Sequence, residues 1–564
     1  MSLRSLGRHA IAFAAAFVFA CARGASPAPV SAEHGMVVTA QHLATQVGVD
    51  VLKGGGNAID AAVAVGYALA VVYPTAGNVG GGGFMTIRLA DGRATFLDFR
   101  EKAPLAATRD MYLDKAGRVV PKASLIGHLA VAVPGTVAGL EYARAKYGTL
   151  ARERLIAPAI ALAEDGFTLQ GGDVHEFVGA IEDLARDRPS AAIFLEDGKA
   201  RRAGSVLVQK DLAATLREIS RRGTDGFYKG RVAEAIVASS LAGGGILSME
   251  DFARYAPREM APVECDYRGY RIVSAPPPSS GGVIVCEILD ILEGYPLKDW
   301  ELRSARAIHH QVEAMRHAYV DRNGYLGDPD FVTNPVARFL DKRYAARIRA
   351  AIDPVKAAPS ASLRAGTPPH EGTNTTHYSI VDRDGNAVAV TYTLNESFGA
   401  RVTAAGTGIL LNDEMDDFTT KLGEANLFGL VQGEPNLIAP GKRPLSSMSP
   451  TIVLRDGKPF MVVGTPGGGR IITAVVHTLV NVIDYGMNIQ EAVDAPRFHQ
   501  QWLPEETVAE PRAIPPDARR ILESQGHRFK DARSMNHMCA ILIANGRYYG
   551  ANDPRGGTGL ALGY

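Results

Sequence analysis

The sequence predicts a mixed α+β fold built on antiparallel hairpins, and three stretches carry that expectation. In the first, His377 to Val381 alternates polar and apolar residues, and Asp382-Arg383-Asp384-Gly385 forms a turn. Gly385 supplies the positive φ that a tight hairpin needs. The β-branched run from Asn386 to Thr393 reads as the returning strand. In the second, Phe84–Leu89 and Arg93–Phe99 read as two strands joined at Asp91-Gly92. The third is a helix from Ala58 to Val72, capped by Asn57 and stopped by Pro74. It is small and apolar nearly all round and shorter than a membrane span, so it reads as a buried helix.

Composition bounds the function. The chain has 564 residues, 46% of them hydrophobic, enough for a large core or several domains. Lys plus Arg and Asp plus Glu are each 60, and the pI is about 7.3. No basic field points to nucleic acid or a membrane surface. The 60 glycines fall in discrete runs, which suggests tight loops rather than disorder.

The first residues read as a targeting segment, 1–25. Arg4 and Arg8 precede an apolar run from Ala10 to Ala20, too short for a ~20-residue span. Ala20-Cys21-Ala22 fits a small-x-small cleavage site, whereas the bulky Phe19 makes Val18-Phe19-Ala20-Cys21 a poor lipobox. Soluble export, periplasmic or secreted, is therefore expected over lipid anchoring at Cys21. The mature chain keeps Cys265, Cys286 and Cys539, an odd number that implies no complete disulfide framework.

Along the chain, Ala44 to Lys53 reads as a helix ended by Gly54-Gly55-Gly56. Gly77-Asn78-Val79-Gly80-Gly81-Gly82-Gly83 invites comparison with a phosphate-binding loop. It lacks the Gly-Lys-Ser/Thr ending and follows no strand, so close backbone packing is expected instead. Residues from about 130 to 350 show mostly helical patterns. Pro134-Gly135-Thr136 opens one helix, and Pro276 to Gly282 forms a stiff loop before another. His309, His310, Glu313 and His317 share a helix without a His-Glu-x-x-His pattern, which points to hydrogen-bonded histidines rather than a metal site. Lys356 to Thr373 is rich in Pro, Ala, Ser and Gly and reads as a mobile arm. Phe460–Val463 reads as a strand running through Gly464-Thr465-Pro466-Gly467-Gly468-Gly469-Arg470 into a helix, Ile471–Val482. No Gly-x-Ser-x-Gly elbow occurs, which argues against a serine α/β-hydrolase.

The 376–393 hairpin sets Thr375 opposite, or nearly opposite, Thr393. Cross-strand threonine pairs are ordinary. A chemical role needs more, because a threonine hydroxyl is a poor nucleophile without a base beside it. A free α-amine on the same residue, with an unperturbed pKa of about 7.7–8.0, can be that base. Cutting the Asn374–Thr375 bond would create it.

Thr375-Thr376-His377-Tyr378-Ser379, followed by the run from Asp384 to Asn395, resembles the start of the small subunit of γ-glutamyltransferases (γ-glutamyltranspeptidases). The likeness runs from about Gly35 to the C-terminus. It implies an αββα sandwich of the N-terminal nucleophile hydrolase type. It also implies self-cleavage into a large subunit, 26–374, and a small catalytic subunit, 375–564, the two forming one αββα unit. Thr375 becomes the nucleophile, and Thr393 orients its hydroxyl. Gly467 and Gly468 become the oxyanion donors, with Gly469 where a Ser is common. Arg100, in Leu97-Asp98-Phe99-Arg100-Glu101, together with Ser446 and Ser447 grips the substrate α-carboxylate, for which a planar guanidinium is suited. Asn395 is expected to extend the Thr393 face.

Glu414 and Asp417, in Glu414-Met415-Asp416-Asp417-Phe418, are expected to hold the α-amine; the bland alternative is a solvated acidic loop. Many bacterial members carry Gln where this chain has Glu414. Lys421–Gly433 resembles the lid over the donor pocket, with Phe428 where several bacterial members have a Tyr able to bond Asn395, so looser closure is expected. The implied reaction removes the γ-glutamyl group of glutathione and related donors and passes it to water or to an amino-acid or dipeptide acceptor, with no cofactor and no metal. Two alternatives are a cephalosporin, glutaryl-amide or polyglutamate-processing enzyme on the same scaffold, and an exported binding protein. The paired amine- and carboxylate-binding groups favour a glutamyl substrate over a glutaryl one, which lacks the amine. The intact nucleophile and oxyanion loop argue against a mere binding protein.

Overall fold

The computed structural model describes residues 26–363, 375–427 and 429–564. Asn374, Phe428 and the targeting segment lie outside these described residues. Two antiparallel sheets of seven strands form the centre. The first runs, edge to edge, through Leu560–Gly563, Met36–Thr39, Thr376–Val381, Ala387–Thr393, Gly82–Arg88, Ala94–Phe99 and Arg258–Met260. The second runs through Val30–Ala32, Arg547–Asn552, Cys539–Ala544, Lys458–Gly464, Thr451–Arg455, Tyr270–Ser274 and Val263–Tyr267. Helices cover both outer faces, giving the αββα sandwich that the sequence resemblance implies.

The layering follows from residue alternation along the central hairpin. Tyr378, Ile380, Val388, Val390 and Tyr392 face the helix layer. Val381, Ala387 and Ala389 face the other sheet, where they meet Ile452, Val462 and Ile541. With both faces covered, every residue of both strands is buried. The hairpin register pairs Thr376 with Tyr392 and Val381 with Ala387, the register expected from the turn.

The Ala58–Val72 helix has the predicted bounds, and all its residues are buried. Asn57 and Asp60 form a capping box at its start. Tyr378 and Tyr392 reach out of the sheet to donate to the carbonyls of Ala62 and Gly66, each at 3.0 Å. The small residues of this helix let those two rings lie against its backbone. The preceding helix starts earlier than predicted, spanning His42–Lys53 with Gln41 as its cap.

Several expectations are corrected. Residues 130–350 contribute strands as well as helices. Val263–Tyr267 and Tyr270–Ser274 form one end of the second sheet, turning at Arg268-Gly269, both with positive φ. The first of these strands is an edge, half exposed and carrying Glu264 and Asp266, so it shows no apolar run. Cys265 on it is bonded to Cys286 on the helix Gly281–Glu293, and among the described residues Cys539 is left as a free, buried thiol. The three cysteines therefore make one complete bridge.

The described part of the arm is anchored rather than mobile. Ala357 donates to the carbonyl of Gln525 at 2.8 Å, and Ser360 Oγ donates to the carbonyl of Trp502 at 2.7 Å. Two histidines of the helix Ala305–Tyr325 bond within the protein: His309 pairs with His527 at 2.8 Å and with the Asp353 carbonyl at 2.7 Å, and His310 bonds the Arg306 carbonyl at 2.8 Å. The glycine run packs backbone against backbone. A Cβ on Gly80 would stand 2.1 Å from the Leu410 carbonyl oxygen, and one on Gly81 would stand 2.0 Å from that of Thr393.

Candidate active site

The site lies at the open end of the central hairpin. Thr375 Oγ1 is 3.4 Å from Thr393 Oγ1, and both residues are buried. Thr393 ends its strand and is held from both sides. Asn78 Nδ2 donates to its carbonyl at 2.8 Å, and the Asn395 backbone N–H donates to its hydroxyl oxygen at 2.7 Å. Asn395 was expected to continue the strand face. Instead it has φ +80° just past the strand end, and its side chain donates to the carbonyl of Asp413 at 3.1 Å. The strand stops because Leu394 feeds a turn around Asp413.

Arg100, Thr375, Thr393, Asn395, Glu414, Asp417, Ser446, Ser447 and Gly468 line one small cavity, closed by Leu430, Met448 and Ile471. The residues singled out in the sequence thus converge, although more than 300 positions separate Arg100 from Glu414 and Asp417. Arg100 follows the strand Ala94–Phe99, and its carbonyl accepts a 2.9 Å bond from the Tyr255 hydroxyl. Its guanidinium is paired with Glu414 through Nη1 and with Asp417 through Nη2. The acidic stretch is a buried 3-10 turn, Glu414–Asp417, and not a solvated loop.

Glu101, Glu414 and Asp417 surround Arg100, so the acids outnumber the cation. Burial pushes Glu101 up to about 7 against the pull of Arg100. Burial also raises Glu414, again opposed by Arg100 and reinforced by Glu101. Glu101 and Glu414, shut away from water, thus hold their protons more tightly than exposed carboxyls do.

The serine loop is set by the Pro276–Gly282 loop. The Ser446 N–H donates to the Pro278 carbonyl at 2.9 Å, and Ser280 returns both its N–H and its hydroxyl to the Ser446 carbonyl at 2.8 and 2.7 Å. Gly467 and Gly468 precede the helix Arg470–Ile483 with φ of +131° and +54°. Their backbone N–H groups have no hydrogen-bond partner among the described residues. Two adjacent free donors at a helix start suit a developing oxyanion. Gly468 lines the Arg100 cavity, whereas Gly467 lines a second cavity on the other side of Thr375. Asn426 and Leu427 are tied to the acidic turn: Asn426 donates to Asp417 Oδ1 at 3.2 Å and the Leu427 N–H to Asp416 Oδ2 at 2.8 Å.

Some supporting residues gave no signal in the sequence. Arg322 is 1% exposed and donates to Ser280, Asn323 and Ser447 oxygens at 2.8–2.9 Å. Burial lowers its guanidinium to about 10, and it remains charged at neutral pH. Asn412 accepts from the Ala132 N–H at 2.9 Å and donates to the Gly80 carbonyl at 2.8 Å, tying the acidic turn to the glycine run. Helical and loop polar residues of this kind look like surface residues until the partner segment is known.

The sequence model of the gamma-glutamyltranspeptidase family matches residues 44–563. A glutathione hydrolase proenzyme of Pseudomonas sp. (strain A14) is 66% identical over 551 residues, spanning 96% of both chains. That of Escherichia coli (strain K12) is 50% identical over 540 residues, spanning 95% of this chain and 93% of its own. Among solved structures, a cephalosporin acylase from Bacillus halodurans superposes with a TM-score of 0.84 at 29% identity, covering 96% of this chain and 98% of its own. The likeness therefore extends over most of the chain and its fold, and the chain belongs to the γ-glutamyltranspeptidase family.

Proposed function

We propose that the chain is a self-cleaving γ-glutamyl hydrolase and transferase that acts on glutathione and related γ-glutamyl amides. The observation that carries this reading is the convergence of Thr375, the Gly468 backbone donor and a zwitterion-binding set on one cavity, with Gly467 on the other side of Thr375.

In the precursor, Thr375 Oγ1 attacks the Asn374 carbonyl, and hydrolysis of the resulting ester frees the Thr375 amine. Residues 26–374 then form the large subunit and 375–564 the small one. Strand Thr376–Val381 lies between Met36–Thr39 and Ala387–Thr393, so both pieces stay in one sheet after cutting. In the mature enzyme the Thr375 amine takes the hydroxyl proton as Oγ1 attacks the γ-carbonyl. Thr393 orients that hydroxyl. Gly467 and Gly468 stabilise the oxyanion, a contribution of about 3–4 kcal/mol per donor. The leaving amine departs with the proton, and the γ-glutamyl ester passes to water or to an amino-acid or peptide amine.

Recognition is an exchange of partners. Without substrate Arg100 pairs with both Glu414 and Asp417. A bound glutamyl zwitterion offers its carboxylate to Arg100, Ser446 and Ser447 and its ammonium to the two acids. A glutaryl group lacks the ammonium and leaves the acids without a new cation. This favours a glutamyl substrate, although the structural likeness to a cephalosporin acylase supports glutaryl-amide hydrolysis as the second reading.

Residues 1–25 are read as an export signal. No helix among the described residues is long and apolar enough to cross a membrane.

Intact mass and N-terminal sequencing of the exported protein test the reading. Two pieces, one starting at Thr375, are expected. A single folded, uncut chain would overturn it and favour a binding role. Turnover of γ-glutamyl anilide well above glutaryl anilide separates the two enzymatic readings.

A further inference from the structure

A cavity of about 410 Å³ lies between the helices Thr136–Tyr147 and Met249–Arg254 and shares no lining residue with the two cavities at Thr375. Part of its wall is aromatic. The rings of Tyr228 and Tyr255 stack at 5.6 Å and 8°, and Phe252 stands 6.1 Å from Tyr228. The hydroxyls of the three lining tyrosines are already committed. Tyr142 donates to Glu259 at 2.7 Å, Tyr228 to the Pro134 carbonyl at 2.8 Å and Tyr255 to the Arg100 carbonyl at 2.9 Å. What these residues add to the cavity is ring surface.

The rest of the wall is cationic. Arg144, Arg152, Arg222 and Lys229 line it against two carboxylates, Glu141 and Asp225. Asp225 pairs with Lys229 at 3.0 Å. Glu141, 4% exposed, accepts from Nε of both Arg144 and Arg152 and from the Tyr67 hydroxyl. One carboxylate thus serves two guanidiniums. The Nη groups of both have no hydrogen-bond partner among the described residues. Arg222 is exposed and has no carboxylate partner among the described residues.

We propose that this cavity binds an aromatic carboxylate and acts through it on Arg100. The carboxylate takes the free Nη donors of Arg144 and Arg152 and the charge of Arg222, because side-by-side N–H groups match its two oxygens. The aromatic body lies against the Tyr228–Tyr255 stack, where ring contacts are favourable. The volume is in the ordinary range for a small-molecule site and holds a two-ring body. An amine of the same shape is repelled, since the lining has two more cations than carboxylates. An uncharged ring leaves the guanidiniums unpaired.

The action on the active site follows from the tyrosine hydroxyls. Tyr255 holds the Arg100 backbone directly. Tyr228 holds Pro134, and the next two N–H groups, of Gly135 and Thr136, donate to the Gly81 carbonyl at 2.7 and 3.0 Å. Gly81 packs in turn on the Thr393 carbonyl. A ligand that fixes the two rings fixes the placement of Arg100 and so favours donor binding. By linkage the donor favours the ligand by the same factor. This action rests on the function proposed above; the binding does not.

Naphthalene-2-carboxylate is the probe, and isothermal titration calorimetry of the purified protein measures its binding. A Kd of about 0.1–1 mM is expected for a ligand of this size. Naphthalene-2-carboxamide should bind about tenfold more weakly or worse. Arg222 and Ala145 are both exposed, so they can be changed without disturbing the core. Arg222→Glu reverses a charge and Ala145→Trp fills space. Each is expected to raise the Kd about tenfold or more. Saturating naphthoate should lower the KM for γ-glutamyl anilide about fivefold. Tyr255→Phe keeps the ring but deletes its bond to Arg100; it should bind naphthoate and lose the KM effect. No binding by the wild type, equal binding of the amide, or unchanged binding in both surface variants would overturn the site. Binding with an unchanged donor KM, or a KM effect that survives in Tyr255→Phe, would overturn the action on Arg100. Wild-type protein that binds naphthoate but is inert toward γ-glutamyl anilide would support the site and overturn the function proposed above.

Discussion

Arg322 Nη2 donates to Ser447 Oγ at 2.8 Å, and among the described residues no carboxylate pairs with this buried guanidinium. Its charge is therefore available to whatever Ser447 binds. Arg322→Gln removes a charge-assisted bond of about 1.5–3 kcal/mol. The expected result is a donor KM raised roughly tenfold to a hundredfold, with a smaller change in kcat. A 4-aminobutyryl anilide, which lacks the α-carboxylate, should show no such rise. Equal effects on both anilides in steady-state assays would point to a merely structural arginine.

Thr393 Oγ1 accepts from the Asn395 N–H at 2.7 Å and lies 3.4 Å from Thr375 Oγ1. Thr393→Val keeps the shape and deletes that bond, worth about 1 kcal/mol if neutral. Chain cutting and turnover are both expected to slow several-fold or more. Time courses of precursor cutting followed on denaturing gels check the first, and anilide assays the second.

Gly81 has no room for a side chain, because a Cβ there meets the Thr393 carbonyl at 2.0 Å. Gly81→Ala is expected to push the strand end carrying Thr393 out of line. Overpacking of this kind costs about 1–3 kcal/mol. The variant should fold with a lowered Tm and remain largely uncut. A fully cut variant with normal turnover would show that the strand end is not held where the contact places it.

Burial pushes both Glu101 and Asp416 up to about 7. Both values exceed those of exposed carboxyls, so the folded state binds more protons than the unfolded state from about pH 4 to 7. Stability contributed by these groups is thus present at low pH and is lost as pH rises through the folded values. Glu101→Gln cannot titrate. Its stability difference between pH 5 and pH 8, measured by denaturant unfolding, is expected to be smaller than that of the wild type.

The Cys265–Cys286 bridge closes a 21-residue separation and ties the edge strand of the second sheet to the helix behind it. Closing a loop of that length stabilises by about 3 kcal/mol on the chain-entropy account. Replacing both cysteines with serine is expected to lower Tm by several degrees without altering chain cutting, because the bridge lies in the outer part of the sheet. Differential scanning calorimetry of the uncut and cut forms measures this.

Much of the scaffold was legible locally. The hairpin turn at Gly385 set the register, and the register set Thr375 against Thr393. The bounds of Ala58–Val72 followed from Asn57 and Pro74, because capping and proline act within a turn of the chain. The strand at Val263–Tyr267 was not legible, because an edge strand with one exposed face shows neither an apolar run nor a helical period, and its inner neighbour Tyr270–Ser274 is too short to show a period of its own.

The chemistry divides in the same way. By itself the sequence determined which residue types were present and which of them resembled a nucleophile, an oxyanion loop and a zwitterion-binding set. Those are properties of short runs. Only the tertiary structure decided that Arg100, the 414–417 turn and the 446–447 serines share one cavity, that Asn395 braces Thr393 through its backbone, and that a buried Arg322 stands behind Ser447. These relations join segments far apart in the chain, and they arise from stacking two sheets and closing loops over their ends. No local pattern encodes the partner of a buried charge, since the same arginine on an open helix would be solvated.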